Sequence, residues 1–418
     1  MVNRNSRPLA VQFGAGNIGR GFMGQLLWEA GYSTVFVEAH KPLVDALNQA
    51  GRYPLKLLDA RSQREVNLTI DGIRAVHADD RDAVSEALLH ADLIGTAVGV
   101  KNLAAIAPML LKGLIKRREA GAGPVDIYLC ENVLNAADEL KDHVRQLIEQ
   151  APKSGTKSSS VPLPSYLEEN VGFVGTVVAR MVPNVGDRFA GEDPLLVVAD
   201  SYHRFPFDET AVRAPMPHIE GMHPVSNFSA EVERKLFTYN MGHAALAYLG
   251  YLKGCTCVHE PFQDPFLMEI FQGALDETCD AVLAKYPDVF TLDDQKGIRQ
   301  DIDLRFGNPM IQDSVQRVGR DPIRKLGRGD RLIGSTRLCL AQDIFPARVA
   351  QVCGAALLYG SPDDPEALKL QKMIKDDGVA QVLHDLSGVE PESDLGRSIL
   401  CSYEELSDTD FRGMGRNS

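Results

Sequence analysis

The sequence predicts a two-part α/β protein, with a doubly wound parallel sheet first and a mainly α-helical region after it. Three observations carry this reading. Short apolar runs alternate with amphipathic helical segments through the first 150 or so residues, the pattern of a parallel sheet covered by helices on both faces. A glycine-rich turn, GAGNIG at 14–19, joins the first apolar run to the first helix. From about residue 228 onward the apolar spacing changes to three or four residues, which is a helical period.

In order, LAVQF reads as a first strand and IGRGFMGQLLWEAG as a helix closed by Gly31. STVFVEA is a second strand and KPLVDALNQAG a second helix. YPLKLLDARSQREVNLTI reads as an inserted hairpin between such units. Further on come ADLIGTAVG, the helix NLAAIAPMLLKGLIKRREAG, the strand VDIYLCEN and a helix around AADELKDHVRQLIEQ. The polar tract PKSGTKSSSVP predicts a surface loop, and VGFVGTVVARMVP and PLLVVADSY read as strands. The expected division is a nucleotide-binding domain over 7–226 and a helical catalytic domain over 227–403, with 404–418 as a disordered tail because LSDTDFRGMGRNS lacks periodicity.

The net charge of −13 argues against nucleic-acid or anionic-membrane partners and predicts that an anionic substrate needs a locally basic pocket. No apolar run approaches the roughly 18 residues of a membrane span, and the N-terminus has no signal-peptide pattern, so a cytoplasmic location is expected. The seven cysteines, an odd and scattered set, suggest reduced thiols, and the Cys255/Cys257 pair lacks the second ligand pair of a zinc site, so no metal is expected.

GAGNIG fits the dinucleotide fingerprint in its required context, after a strand and opening a helix. Gly14 permits the tight turn, Gly16 lets the backbone approach a pyrophosphate, and Gly19 lets helix and strand pack closely. Asn17 and Ile18 lie between these glycines, where the helix N-terminus offers free N–H groups. Glu38, nineteen residues after Gly19, ends the second strand and suits the adenosine ribose hydroxyls, which favours NAD over NADP. Thr96, Val98 and Asn132 end later strands and are candidates to line the nicotinamide end; ordinary strand-to-helix turns are the alternative.

SAEVERKLFTYNMGHAALAYLGYLKG reads as one amphipathic helix with three polar residues among its apolar positions. At about 100° per residue, with Lys235 at zero, His243 lies near 80° and Asn240 near 140°, so the three face one cleft. Alcohol oxidation needs a base for the hydroxyl proton and donors for the developing oxyanion. A lysine whose pKa falls from about 10.4 towards neutrality serves as that base, with Asn240 as an oxygen donor and His243 donating to a substrate hydroxyl or orienting its neighbours. Downstream, RVGRDPIRKLGRGDRL carries Arg317, Arg320, Arg324 and Lys325, with Asp321-Pro322 as a helix start. This cluster suits a sugar phosphate; a solvated face pairing with Asp313, Asp321 and Asp330 is the alternative.

FGAGNIGRGFMG, TAVG, CEN, VGFVGTVVARMVP, ERKLFTYNMGHAALAYLG and RVGRDPIRKL together resemble the polyol-specific long-chain dehydrogenases, most closely the branch acting on mannitol 1-phosphate. YLKGCTCVHE is also similar to the mannitol 2-dehydrogenase branch. The resemblance implies a Rossmann-type domain, a helical domain and an active site between them. It implies reversible, metal-independent oxidation of mannitol 1-phosphate to fructose 6-phosphate by NAD. It gives Lys235 the role of general base, Asn240 that of an oxyanion donor, and His243, Arg317 and Lys325 roles in substrate binding. Two departures stand out. Gly175 replaces a usual Asn or Asp, and in the mannitol 2-dehydrogenase branch that Asn is the second oxyanion donor, leaving Asn132, Thr176 or a water to supply it. Ala179 replaces a usual Asp. They leave two other readings open: a dehydrogenase of an unphosphorylated polyol or sugar acid, or a nucleotide-binding relative without turnover.

Overall fold

The computed structural model describes residues 7–131, 135–150, 162–183, 189 and 191–408. They form two compact units, Met1–Glu231 and Val232–Ser418. The division falls inside the helix Phe228–Lys235, a few residues beyond the expected 226/227 boundary. The last helix, Asp394–Ser407, uses residues expected to belong to a tail starting at 404, because Leu395, Ile399 and Leu406 bury one face of it.

The first unit is built on a six-stranded sheet. Its strands are β1 (Leu9–Phe13), β2 (Ser33–Glu38), β5 (Ile73–His77), β6 (Leu93–Thr96), β7 (Val125–Leu129) and β8 (Val171–Gly175). The spatial order is β5-β2-β1-β6-β7-β8, with every pairing parallel. Strand order thus reverses beside β1, which is the switch point where such sheets bind ligands at their carboxyl ends. Both faces are covered, so β6, β7 and β8 are buried at every position.

The expected hairpin exists as β3 (Tyr53–Asp59) and β4 (Arg64–Ile70), antiparallel, and β9 (Val197–Asp200) extends it by pairing parallel to β3. A two-stranded parallel ribbon, β10 (Phe205–Asp208) and β11 (Met222–Val225), completes the unit. VGFVGTVVARMVP is strand only to Gly175. Beyond it Thr176 makes a single bridge to Phe207, and the chain then follows the buried Arg180, whose guanidinium donates to the carbonyls of Tyr202 and Gly21 and to Gln25 Oε1. The polar tract expected as a loop lies outside the described residues except for Pro162.

The second unit is helical. Its centre is the helix Met241–Leu252, in which Leu246, Tyr248 and Leu249 are fully buried. It packs against Pro265–Lys285 and Ala347–Leu357. A helix apolar on nearly all sides belongs at the middle of a bundle, and this one carries Asn240 and His243 at its first turn.

Candidate functional site

In the first unit the glycine loop has the geometry its spacing predicts. Gly14 has φ of 87°, and a Cβ there would overlap the carbonyl oxygen of Ala97. A Cβ on Gly19 would overlap the carbonyl of Gly14, whereas Gly16 has open space around it. Gly16 and Asn17 are exposed and Ile18 half-buried, so loop backbone faces outward where a pyrophosphate needs it. The Asn17 amide donates to Val182 O at 3.2 Å. The helix does not start as a regular α-helix: Gly19–Met23 is a π-helical turn.

The Ala15 peptide is pinned from both sides. Its N–H donates to Glu38 Oε2 (2.9 Å), whose Oε1 accepts from His40 N. Its carbonyl accepts from Arg20 Nε (2.6 Å), and Arg20 Nη1 donates to Leu195 O (2.7 Å). Tyr53 stacks against that guanidinium, and its hydroxyl donates to Arg20 O. Arg20 is a buried support that sequence reasoning missed, since an arginine one step after a glycine fingerprint looks like surface.

Glu131 was also missed. It is buried and accepts from the N–H groups of Val98 (2.9 Å) and Gly99 (2.8 Å), closing the loop after β6. The only signal was its place directly after a buried strand. Thr96 is fully buried. Asn132 lies outside the described residues.

The two departures have visible settings. A Cβ on Gly175 would lie 2.5 Å from Phe228 Cε1, so the phenyl ring takes the room a side chain at 175 would need. Thr176 does not supply the missing donor, because its hydroxyl donates to Leu129 O at 2.6 Å. Next to Ala179, Arg180 is fully buried within its carbonyl and Gln25 contacts, with Asp200 at 3.9 Å.

In the second unit, Lys235 closes the helix Phe228–Lys235 and a π-helical turn, Leu236–Asn240, follows. The even 100° stepping used above therefore does not hold across 236–240: Met241 N–H reaches back five residues to Leu236 O, taking an extra residue into the turn. Lys235 is half-buried, and its pKa is lowered to about 7 by burial first and then by the positive charges of Arg331 and Arg305, with Asp330 opposing.

His243 stacks on Phe306 with ring centroids 4.6 Å apart, and its Nε2 lies 3.3 Å from Asp313 Oδ2. Burial lowers the histidine pKa against the pull of Asp313, so the ring is neutral near pH 7. Burial would raise the pKa of Asp313, but His243 and Arg317 outweigh it and bring it down to about 2.

The basic cluster is more neutralised than expected. Arg317 forks onto Asp313, and Arg324 is held by both Asp321 and Asp330. The two oxygens of Asp313 occupy two of the five donors of Arg317, which leaves others for a ligand. Arg324 is exposed, with Asp321 and Asp330 both beside its guanidinium. Arg320 is exposed and forms no ion pair among the described residues. Lys325 is buried, with its ammonium on the carbonyls of Val318 and Arg320, and burial followed by Arg331 and Arg324 drives its pKa well down. Asp321 starts the short helix without a side-chain cap, in a left-handed conformation (φ 63°). Its carboxylate turns to Arg324 instead.

A parallel sheet reversing beside a glycine fingerprint, with a carboxylate at the end of β2, defines a Rossmann-type dinucleotide-binding protein. Profiles for the mannitol dehydrogenase Rossmann domain and the mannitol dehydrogenase C-terminal domain match residues 8–221 and 227–407. The chain is 35% identical over 393 residues to mannitol-1-phosphate 5-dehydrogenase of Bacillus licheniformis, covering 94% of this chain and 98% of that one. It is 35% identical over 397 residues to the enzyme of that name from Caldanaerobacter subterraneus subsp. tengcongensis, covering 95% and 98%. Among solved structures, mannitol 2-dehydrogenase of Pseudomonas fluorescens, in ternary complex with NAD and D-mannitol, shares the fold with a TM-score of 0.76 at 19% identity, over 98% of this chain and 93% of that one. A substrate-free D-sorbitol dehydrogenase does so at 0.77 and 17%, over 98% and 94%. The chain belongs to the mannitol dehydrogenase family, and it is an oxidoreductase.

Two substitutions test this geometry. Arg20→Met leaves the carbonyls of Ala15 and Leu195 without their donor, and we expect a loss of about 2–4 kcal/mol in chemical denaturation. Gly175→Asn forces Phe228 aside and is expected to cost about 1–3 kcal/mol. Adding Phe228→Ala to it should recover part of that loss, which denaturation of single and double variants measures.

Proposed function

We propose that this chain is a cytoplasmic mannitol-1-phosphate 5-dehydrogenase, oxidising D-mannitol 1-phosphate reversibly to D-fructose 6-phosphate with NAD. The observation that carries the reading is a lysine with its pKa lowered to about 7, one π turn away from an asparagine and with a histidine in the first turn of the helix that follows. The names of the 35% identical relatives support the substrate.

The first unit fits the dinucleotide. Its open backbone at Gly16 and the N–H groups at Asn17 and Ile18 would take the pyrophosphate. Glu38 would take the ribose hydroxyls with lone pairs left over from Ala15 and His40, and half-buried Val98 would flank the nicotinamide, whereas Thr96 is fully buried at the strand end. NAD, when bound, supplies the hydride acceptor.

The protein's own groups handle the proton and the charge. Neutral Lys235 takes the proton from the substrate hydroxyl. Asn240 donates to the oxygen as negative charge gathers on it. His243, kept neutral by burial and with its one N–H on Nε2 turned to Asp313, accepts from a neighbouring hydroxyl through Nδ1. Remaining donors of Arg317 and Lys325, with exposed Arg320, face the phosphate in an otherwise acidic chain.

One observation favours an unphosphorylated polyol instead. Asp313, Asp321 and Asp330 cancel much of the charge of the cluster. A substrate panel with NADH oxidation as readout separates the two. The proposal expects fructose 6-phosphate to outperform fructose, and absence of fructose 6-phosphate-dependent NADH loss at high enzyme concentration rejects it.

The pH dependence follows from the sign of the lysine shift. Oxidation needs the neutral amine, so its rate should rise as pH passes about 7 and stay high above. Reduction needs the ammonium as proton donor, so its rate should fall over the same range. Lys235→Ala should lower turnover by roughly 10²–10⁴-fold in both directions with NADH affinity nearly unchanged, as steady-state kinetics and NADH titration would show.

A further inference from the structure

The π turn between Lys235 and Asn240 is held from outside. Within it, Thr238 Oγ1 donates to Arg234 O at 2.6 Å. Tyr239, at the far end of the turn, is a buried ring whose hydroxyl donates to Asp301 Oδ2 at 2.8 Å. The same oxygen accepts from Arg305 Nη1 at 3.0 Å, and the Arg305 guanidinium lies 5.6 Å from the Tyr239 ring centroid. Asp301 and Arg305 are one turn apart on Leu292–Phe306, a helix of fifteen residues with a capping box at its start. Its last residue, Phe306, is the ring against which His243 stacks. One firmly capped helix therefore touches both the π turn and the histidine.

A π turn is an uncommon local geometry that appears at functional sites, and an ordinary α-helical turn here would rotate and shift Asn240 relative to Lys235. We propose that Tyr239, Asp301 and Arg305 form a positioning clamp that holds this π turn and so sets the register at which Lys235 and Asn240 reach the same substrate oxygen. The clamp rests on Lys235 being the base. None of its three members needs to touch substrate. Its effect is on alignment, where displacements of about 1 Å are costly in turnover.

The test is steady-state reduction of fructose 6-phosphate by NADH in Tyr239→Phe, Asp301→Ala, their double variant and Lys235→Ala. Tyr239→Phe keeps the ring and removes the hydrogen bond donated to Asp301. We expect its kcat to fall about tenfold, the scale of a modest misalignment, with the KM for NADH within twofold of the unmodified protein. Asp301→Ala should lower kcat at least as much. The double variant should lose much less than the product of the two single losses, because Tyr239→Phe and Asp301→Ala remove the same hydrogen bond. A Tyr239→Phe kcat within twofold of the unmodified protein would overturn the clamp, as would losses that multiply in the double variant. Lys235→Ala separates the two claims. Full turnover in it sinks the lysine reading, whereas activity lost there but kept in Tyr239→Phe sinks only the clamp.

Discussion

The proposed chemistry of this protein depends on keeping one lysine from holding its proton. Water would favour the charged ammonium of Lys235, and two features oppose it. The side chain is half-buried, and the guanidinium groups of Arg331 and Arg305 are close enough to repel a third positive charge. Both arginines are themselves buried and matched, Arg331 by Asp330 and Arg305 by Asp301. That pairing lets two cations sit in the interior without unfolding the region. At Lys235 the charge of Asp330 opposes burial and the two guanidinium groups, and the balance is a shift to about 7.

Around that lysine, geometry is set by departures from regular structure. Two π turns occur at the places where function is expected, one opening the helix after the glycine loop and one separating Lys235 from Asn240. Each is braced by a buried arginine: Arg20 beneath Ala15, and Arg305 beside Tyr239. Asp313 plays a comparable part for His243, holding the imidazole on one side and Arg317 on the other. On the proposed reading, the first unit thus fixes backbone N–H groups for a dinucleotide, and the second fixes side chains for proton transfer.

Much of this was legible in the sequence, and the gaps have physical causes. Alternating apolar runs revealed the parallel sheet, and the glycine spacing revealed the loop, because both are local. The edge strand Ile73–His77 was not singled out, since five residues containing an arginine carry little signal. Arg20, Arg180 and Glu131 were invisible as supports because most of their partners are backbone groups far along the chain; Leu195, which binds Arg20, is 175 residues away. Helical angles placed Lys235, Asn240 and His243 in one sector, but that arithmetic assumed 3.6 residues per turn and could not register a π turn. Counting cations overstated the basic cluster, because the aspartates that neutralise Arg317 and Arg324 are interleaved with them.

The central claim concerns a single ionisation, so the most direct measurement is titration of that amine itself. Lysine labelled with ¹³C at Cε, with the Lys235 resonance assigned by comparison with Lys235→Ala, reports the protonation state by NMR. The account predicts a midpoint near 7 for Lys235. A midpoint near 10.4, the value of an ordinary solvated lysine, would contradict it.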